Sequence, residues 1–302
     1  MITFTDRVAV VTGAGGGLGR SYALELAHRG ARVVVNDLGG ATDGTGGGSS
    51  MADAVVAEIN SAGGEAIANY DSVATVEGGD ALIDAAVAAF GGVDIVINNA
   101  GILRDKSFTN LAVEDRDSVI DVHLKGAFNV TQPAFRVMKE AGYGRILFTA
   151  SAAGLFGNFG QANYSAAKMA LVGLSNTLAI EGARSGITSN VISPIARTRL
   201  TEDLLGPLAE RLDPTHVTPL ACYLVSEACE VTHEIFSVGG GNYARAFVGL
   251  APGWNAGAND VSVEDIGDHL ETIRHTEGFT VPLGVADEVA LIAQRFEQGV
   301  SA

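Results

Sequence analysis

Cysteine is nearly missing from this chain. Two occur in 302 residues, Cys222 and Cys229, and their separation matches neither a zinc-ligand pair nor a redox motif. Neither a disulfide scaffold nor a cysteine zinc site is expected, and both thiols read as small buried apolar residues. Basic residues are scarce too: 19 Lys and Arg stand against 35 Asp and Glu, for a formal charge of −16. Such a surface repels a phosphate backbone, so nucleic acid is not expected as a partner. No apolar stretch approaches the ~18 residues that suggest a membrane span. The start, Met1 to Arg7, lacks the basic residues and apolar segment of a secretion signal, which points to a cytoplasmic protein.

What the chain has is apolar residue, 47% of the total, in a length suited to one large core. Runs of strand length fall at residues 7–12, 31–37, 66–70, 93–98, 145–150, 188–192 and 234–238. Segments of helical period begin near Leu18, Met51, Val76, Val113, Asn163 and Thr218. This alternation predicts an α/β fold, a doubly wound parallel sheet of seven strands covered by helices on both faces. Residues 39–50, GGATDGTGGGSS, read either as a flexible surface loop or as a loop that folds over a ligand or meets a partner subunit. Residues 194–214 form a second irregular stretch, suited to a substrate lid. The sheet pattern stops by Gly239. The expected division is therefore a Rossmann-type domain over residues 1–240 and a C-terminal extension over 241–302, with one helix near residues 286–298.

Between the first strand and the first helix stands TGAGGGLG, Thr12 to Gly19. Glycines at this place let backbone approach a pyrophosphate, while the helix N-terminus offers unpaired N–H groups and the positive end of its dipole. Asp37 ends the second strand 24 positions beyond Gly13 (37 − 13), where a carboxylate meets the adenosine ribose hydroxyls. The same carboxylate would repel the extra phosphate of NADP, so NAD is the expected cofactor.

Tyr164 and Lys168 lie four apart in NYSAAKMALVGL, on one helix face. A phenol titrates near pH ~10, and a neighbouring ammonium beside an oxidised nicotinamide would lower that value. Tyr164 can then take a hydroxyl proton. Ser151 follows the fifth strand, at the sheet end where ligands bind, and can hold the substrate oxygen.

Together these pieces resemble the short-chain dehydrogenase/reductase family over residues 7–240. The matching residues are TGAGGGLG, NNAG at Asn98 to Gly101, Ser151 thirteen positions before Tyr164 (164 − 151), and YSAAK at Tyr164 to Lys168. The resemblance implies a homodimer or homotetramer with Tyr164 as base, Ser151 orienting the substrate oxygen and Lys168 on the nicotinamide ribose. It implies a cofactor cleft of Gly13, Gly17, Leu18, Gly19, Asp37, Asp71, Ser72, Asn99, Ala100, Gly101, Tyr164, Lys168 and Pro194. In DVHLKGAF, His123 stands where the family usually has an Asn supporting a water chain from the Lys to solvent; it could position water or carry protons, or simply pack in its helix.

A narrower resemblance is carried by VVVNDLGG, NYDSV, NNAGILRDKSF, VHLKGAF and GNFGQANYSAAK. These look like the (3R)-hydroxyacyl-CoA dehydrogenase domain of peroxisomal multifunctional β-oxidation enzymes. The chain lacks the hydratase and carrier domains, and ends in Gly299 to Ala302 without a peroxisomal signal, which implies a stand-alone enzyme. The expected reaction is NAD-dependent oxidation of a (3R)-hydroxyacyl-CoA, with Arg104, Lys106, Lys125, Arg197 and Arg199 as candidates for the CoA phosphates. The rival substrate is a hydroxysteroid. The rival class is a non-catalytic nucleotide-binding protein, since fold alone does not establish function.

Overall fold

The computed structural model describes residues 1–196, 211–257 and 259–300. The backbone divides into two compact units, Met1–Arg245 and Ala246–Ala302.

The first unit is built on one sheet. Its strands are β1 (Val8–Thr12), β2 (Arg32–Asn36), β3 (Glu65–Asn69), β4 (Ile95–Asn98), β5 (Gly144–Thr149), β6 (Ile187–Pro194), β7 (Ile235–Gly239) and β8 (Asn242–Ala246). The order is β3-β2-β1-β4-β5-β6-β7-β8, with parallel pairing from β3 through β7. The sheet thus has eight strands, one more than the seven expected. Only Gly240 and Gly241 link β7 to β8, and a connection that short returns the chain antiparallel. The apolar pattern missed β8 because its side chains, NYARA, are largely exposed. By contrast, every residue of β1, β4 and β5 is buried, as a sheet covered on both faces requires.

The covering helices include α1 (Gly17–His28), α2 (Ser50–Ser61), α3 (Val76–Phe90), α4 (Val113–Ile120), α5 (Gly126–Ala141), α6 (Ala152–Phe156), α7 (Ala162–Gly182) and α8 (Thr218–Leu224). Between α4 and α5 the chain widens into a π turn at Asp121–Lys125, a local irregularity that re-aims side chains and that no sequence signal announced. Strand order reverses between β1 and β4. Crossovers from those two strands depart in opposite directions and leave a crevice at their carboxyl ends, the place where open α/β sheets take ligands.

In the second unit lie α9 (Val263–Asp268), α10 (Leu270–Arg274) and α11 (Val285–Val300). A capping box starts α9, where Ser262 Oγ accepts from the Asp265 N–H and Asp265 Oδ2 accepts from the Ser262 N–H. Two stacked ring pairs, Phe247 with Phe279 and Trp254 with His269, organise this unit internally. Among the described residues no helix is long and apolar enough to cross a membrane.

Candidate active site

A cavity of about 800 Å³ opens at the carboxyl ends of the strands. One wall is mostly backbone. Gly13 adopts φ +63°, and a Cβ there would stand 2.8 Å from the Ala100 Cα, so only glycine lets the turn after β1 close against the loop after β4. Thr12 Oγ1 accepts from the N–H groups of Asn99 and Ala100, each at 3.0 Å. Asn99 Nδ2 donates back to the carbonyls of Thr12 and Gly13. Asp37 stands at the tip of β2, its Oδ2 accepting from Gly15 N–H at 2.8 Å and its Oδ1 from Gly39 N–H at 2.7 Å. Behind it, Asn36 and Asn69 bond to each other and to Asp71, which brings Asp71 and Ser72 to the same end of the cavity.

The opposite wall carries ionisable side chains. Ser151 caps α6, its Oγ accepting from the Ala153 N–H at 3.2 Å. One helix, α7, supplies both Tyr164 and Lys168, and the Lys168 Nζ lies 5.5 Å from the Tyr164 ring centre. Lys168 is 3% exposed and donates to the Thr149 carbonyl at 2.5 Å. Burial lowers its pKa to about 7. Desolvation pushes the Tyr164 phenol up, the Ser151 hydroxyl pulls it back in part, and Asp105 adds to the rise. The expectation that the ammonium and an oxidised nicotinamide together lower the phenol concerns the cofactor-bound site; among the protein's own groups burial is the largest influence on both residues.

His123, 3% exposed, sits on the π turn with its ring edge-on to Tyr164, centroids 5.2 Å apart. Its Nε2 faces both the N–H and the carbonyl of Ile102, at 3.0 and 2.8 Å, and its Nδ1 is buried without a protein partner among the described residues. Desolvation first, then the Lys168 charge, hold its pKa well below the usual imidazole value.

The cavity therefore gathers Gly13, Gly17, Leu18, Asp37, Asp71, Ser72, Asn99, Ala100, Gly101 and Pro194 with His123, Ser151, Tyr164 and Lys168. Gly19 departs from expectation: it does not line the cavity but packs behind the turn, where a Cβ would meet the Gly13 carbonyl oxygen at 2.3 Å. Part of the glycine-rich run also borders the cavity, at Gly40, Ala41, Thr42 and Gly44. It is held there by Leu103 N–H donating to the Thr42 carbonyl and by Arg104 Nε donating to that of Asp43. Sequence reading missed Ile102 and Leu103 as cavity wall, and nothing local marks them, since their partners His123 and Thr42 lie 21 residues (123 − 102) and 61 residues (103 − 42) away. The hydroxyl of Thr12 was findable, being the last side chain before the glycine turn.

Among the candidate phosphate contacts, Arg104 pairs with Asp115 at 3.4 Å and Lys125 with Asp121 at 2.7 Å, so neither side chain is uncommitted. Arg197 and Arg199 lie outside the described residues, as does most of the expected lid. No cluster of His, Cys, Asp or Glu among the described residues could hold a metal ion.

Comparisons with known proteins agree with this geometry. The chain is 55% identical over 241 residues to peroxisomal multifunctional enzyme type 2 of Mus musculus, covering 80% of this chain and 32% of that protein. It is 52% identical over 277 residues to a Mycobacterium tuberculosis protein named as a short-chain type dehydrogenase/reductase, covering 90% of this chain and 96% of the other. The solved full-length peroxisomal multifunctional enzyme type 2 of Drosophila melanogaster superposes with a TM-score of 0.83 at 38% identity, over 98% of this chain and 50% of that one. The chain thus spans about a third of the mouse protein's length and half of the solved fly chain. Residues 7–205 match the short chain dehydrogenase family, and with that match covering more than half of its length the chain belongs to that family.

Proposed function

We propose that this chain oxidises the hydroxyl of a (3R)-hydroxyacyl-CoA thioester to the 3-oxoacyl-CoA, using NAD. The family's enzymes use NAD or NADP. The cavity fits such a dinucleotide: the Gly13 cradle is one that a Cβ would fill, the start of α1 faces it, and the Asp37 carboxylate stands at the far end. Bound there, the nicotinamide supplies the hydride acceptor.

The chain's own residues do the rest. Asp37 accepts from the adenosine ribose hydroxyls and disfavours a phosphate in their place. Ser151 donates to the substrate oxygen, and the Tyr164 phenol oxygen takes the hydroxyl proton. Lys168 holds the nicotinamide ribose and places a positive charge beside Tyr164 when protonated. His123, bordering a small cavity with Lys168, Asn98 and Thr12, positions water behind the ammonium. The observation that carries the reading is the meeting of Ser151, Tyr164 and Lys168 at one end of a cavity whose other end is the glycine turn and Asp37. Support for the acyl-CoA substrate is the 55% identity to the mouse peroxisomal multifunctional enzyme type 2 and the 53% identity over 245 residues to a peroxisomal hydratase-dehydrogenase-epimerase of Saccharomyces cerevisiae. The hydroxysteroid alternative needs a lid at residues 194–214 that accepts a sterol, and most of that stretch lies outside the described residues.

A steady-state assay of NAD reduction tests the proposal, with (3R)- and (3S)-hydroxyacyl-CoA esters beside hydroxysteroids. Turnover confined to the (3R) esters is the expected result. Oxidation of steroids alone, or of the (3S) esters, overturns it.

A further inference from the structure

On an acidic chain, an uncommitted cation beside exposed aromatic rings is unusual, and such a group stands at the rim of the cavity. Phe108, Phe156 and Phe159 are 80%, 76% and 90% exposed. Large rings left in water at one place mark a surface that meets a ligand. Two strips of chain carry them. Phe108 opens a short 3-10 turn, and Phe156 ends α6, the helix that begins at Ser151. The Lys106 N–H donates to the Gly160 carbonyl at 2.9 Å and joins the strips. Phe108 therefore lies two residues beyond one end of that bond, and Phe159 one residue before the other. Phe156 itself lines the cavity, with Gly157 and Asn158 beside it, so the rings continue the wall on which Ser151 stands.

Lys106 is exposed and forms no ion pair among the described residues. Its neighbour Asp105 does not neutralise it, because the Asp105 carboxylate is turned inward to accept from Gln161 Nε2 at 2.6 Å. Arg104 and Lys125 are matched by Asp115 and Asp121. Of the basic side chains near this rim among the described residues, Lys106 is left with its charge facing water.

We propose that Phe108, Phe159 and Lys106 form the docking site for the nucleotide end of the coenzyme A thioester. The adenine stacks on the phenylalanine rings, and Lys106 meets the phosphates. This rests on the acyl-CoA reading above and adds the place where the substrate's handle is held. Charge complementarity selects the occupant: a plain acyl chain or a steroid would satisfy the rings and leave the ammonium unmatched, whereas an adenine nucleotide satisfies both. The handle then contributes binding far from the reacting carbon, so its loss raises KM and leaves kcat nearly unchanged.

The test compares (3R)-hydroxybutyryl-CoA with the same acyl group on N-acetylcysteamine, which keeps the thioester and lacks the nucleotide. Wild type is expected to show a KM for the CoA ester about 100-fold lower, with similar kcat. Phe159→Ala, Phe108→Ala and Lys106→Ala should each raise the CoA-ester KM about tenfold and leave the N-acetylcysteamine kinetics unchanged, which shows that fold and chemistry are intact. Adenosine 3′,5′-bisphosphate should compete with the CoA ester in wild type and weakly in the variants. Equal KM for the two esters in wild type, or a ratio untouched by the three variants, overturns the docking site while the proposed reaction stands. Turnover of neither ester overturns both. An untouched ratio together with a changed mass in sedimentation assigns the rings to an interface with a second copy instead.

Discussion

Around the cavity, the wall made by residues 12–19, Asp37 and Asn99 is held by backbone donors and by glycines that admit no Cβ, whereas the wall made by His123, Ser151, Tyr164 and Lys168 holds buried ionisable groups. On the proposed reading the first wall recognises by shape and fails when an atom is added, whereas the second works by proton affinity and fails when a charge is moved or a proton carrier removed. Substitutions on the two sides should therefore differ in kind: lost dinucleotide affinity on one, altered turnover and pH dependence on the other.

The largest effect belongs to the ionisable wall. Tyr164→Phe keeps the ring against His123 and removes the oxygen proposed to take the proton. Turnover should fall by about 10²- to 10⁴-fold, the span expected for loss of a general acid–base group. Binding of reduced dinucleotide, followed by its fluorescence, should stay within a few-fold. Retained turnover would remove Tyr164 from its proposed role.

On the backbone wall, Asp37→Ala should narrow the preference for NAD over NADP by about 100-fold, since bonds from ribose hydroxyls to a charged acceptor are lost together with repulsion of the phosphate. Part of the NAD affinity will fall because Gly15 and Gly39 lose the acceptor of their N–H groups. Equilibrium binding of both dinucleotides measures this, and a wild-type preference for NADP contradicts it. Gly19→Ala drives a Cβ into the Gly13 carbonyl and should weaken dinucleotide binding by about 10- to 100-fold through overpacking. Gly48→Ala, with no atom within 4 Å of its added carbon, is the matched control and should bind as wild type does.

The same contrast governs what could be read from sequence. Backbone walls leave marks: glycine runs, a strand-terminal Asp, and apolar runs buried on both faces, which placed the seven parallel strands to within about two residues at either end. Groups set by distant contacts leave none. The π turn at Asp121–Lys125 sits inside an ordinary helical pattern, and the ring it aims is tied to Ile102, 21 positions away. Nor did the glycine-rich run announce that Thr42 and Asp43 would be held by Leu103 and Arg104. The spacing of Tyr164 and Lys168 could be read directly. The proton affinities that the protein alone gives them could not, because burial is a property of the packed core and is the largest influence on both.

That burial has a measurable consequence. Lys168 has an ordinary pKa of 10.5 and a native one of about 7, so between these values the unfolded chain binds more protons than the native protein. Stability contributed by this group therefore rises with pH across that window and is level below it. Replacing it by Met, which keeps the stem, should remove on the order of 2 kcal/mol of the gain between pH ~7 and ~9. Urea unfolding of both proteins at the two pH values gives the difference. Parallel pH dependence would show that Lys168 is protonated as readily inside the protein as outside it.

The smallest expected effect separates positioning from packing at His123. Desolvation, and then the Lys168 charge, disfavour the protonated ring, which argues for positioning over proton uptake. A neutral imidazole can still fix a water molecule. Nε2 is occupied by the Ile102 backbone, Nδ1 is buried without a partner among the described residues, and the ring borders a cavity of about 10 Å³ shared with Lys168, roughly room for one water. An Asn at this position offers polar atoms for the same water. His123→Ala should slow turnover about tenfold or less and move the pH–rate profile, while His123→Asn should restore both, at the low end of proton-transfer effects. A purely structural ring gives a different pattern: both variants lose stability, since the Cε1 packs against Gly101, and neither moves the pH–rate profile. Recording that profile beside the unfolding curve for each variant decides between them, and an unshifted profile in His123→Ala ends the positioning role.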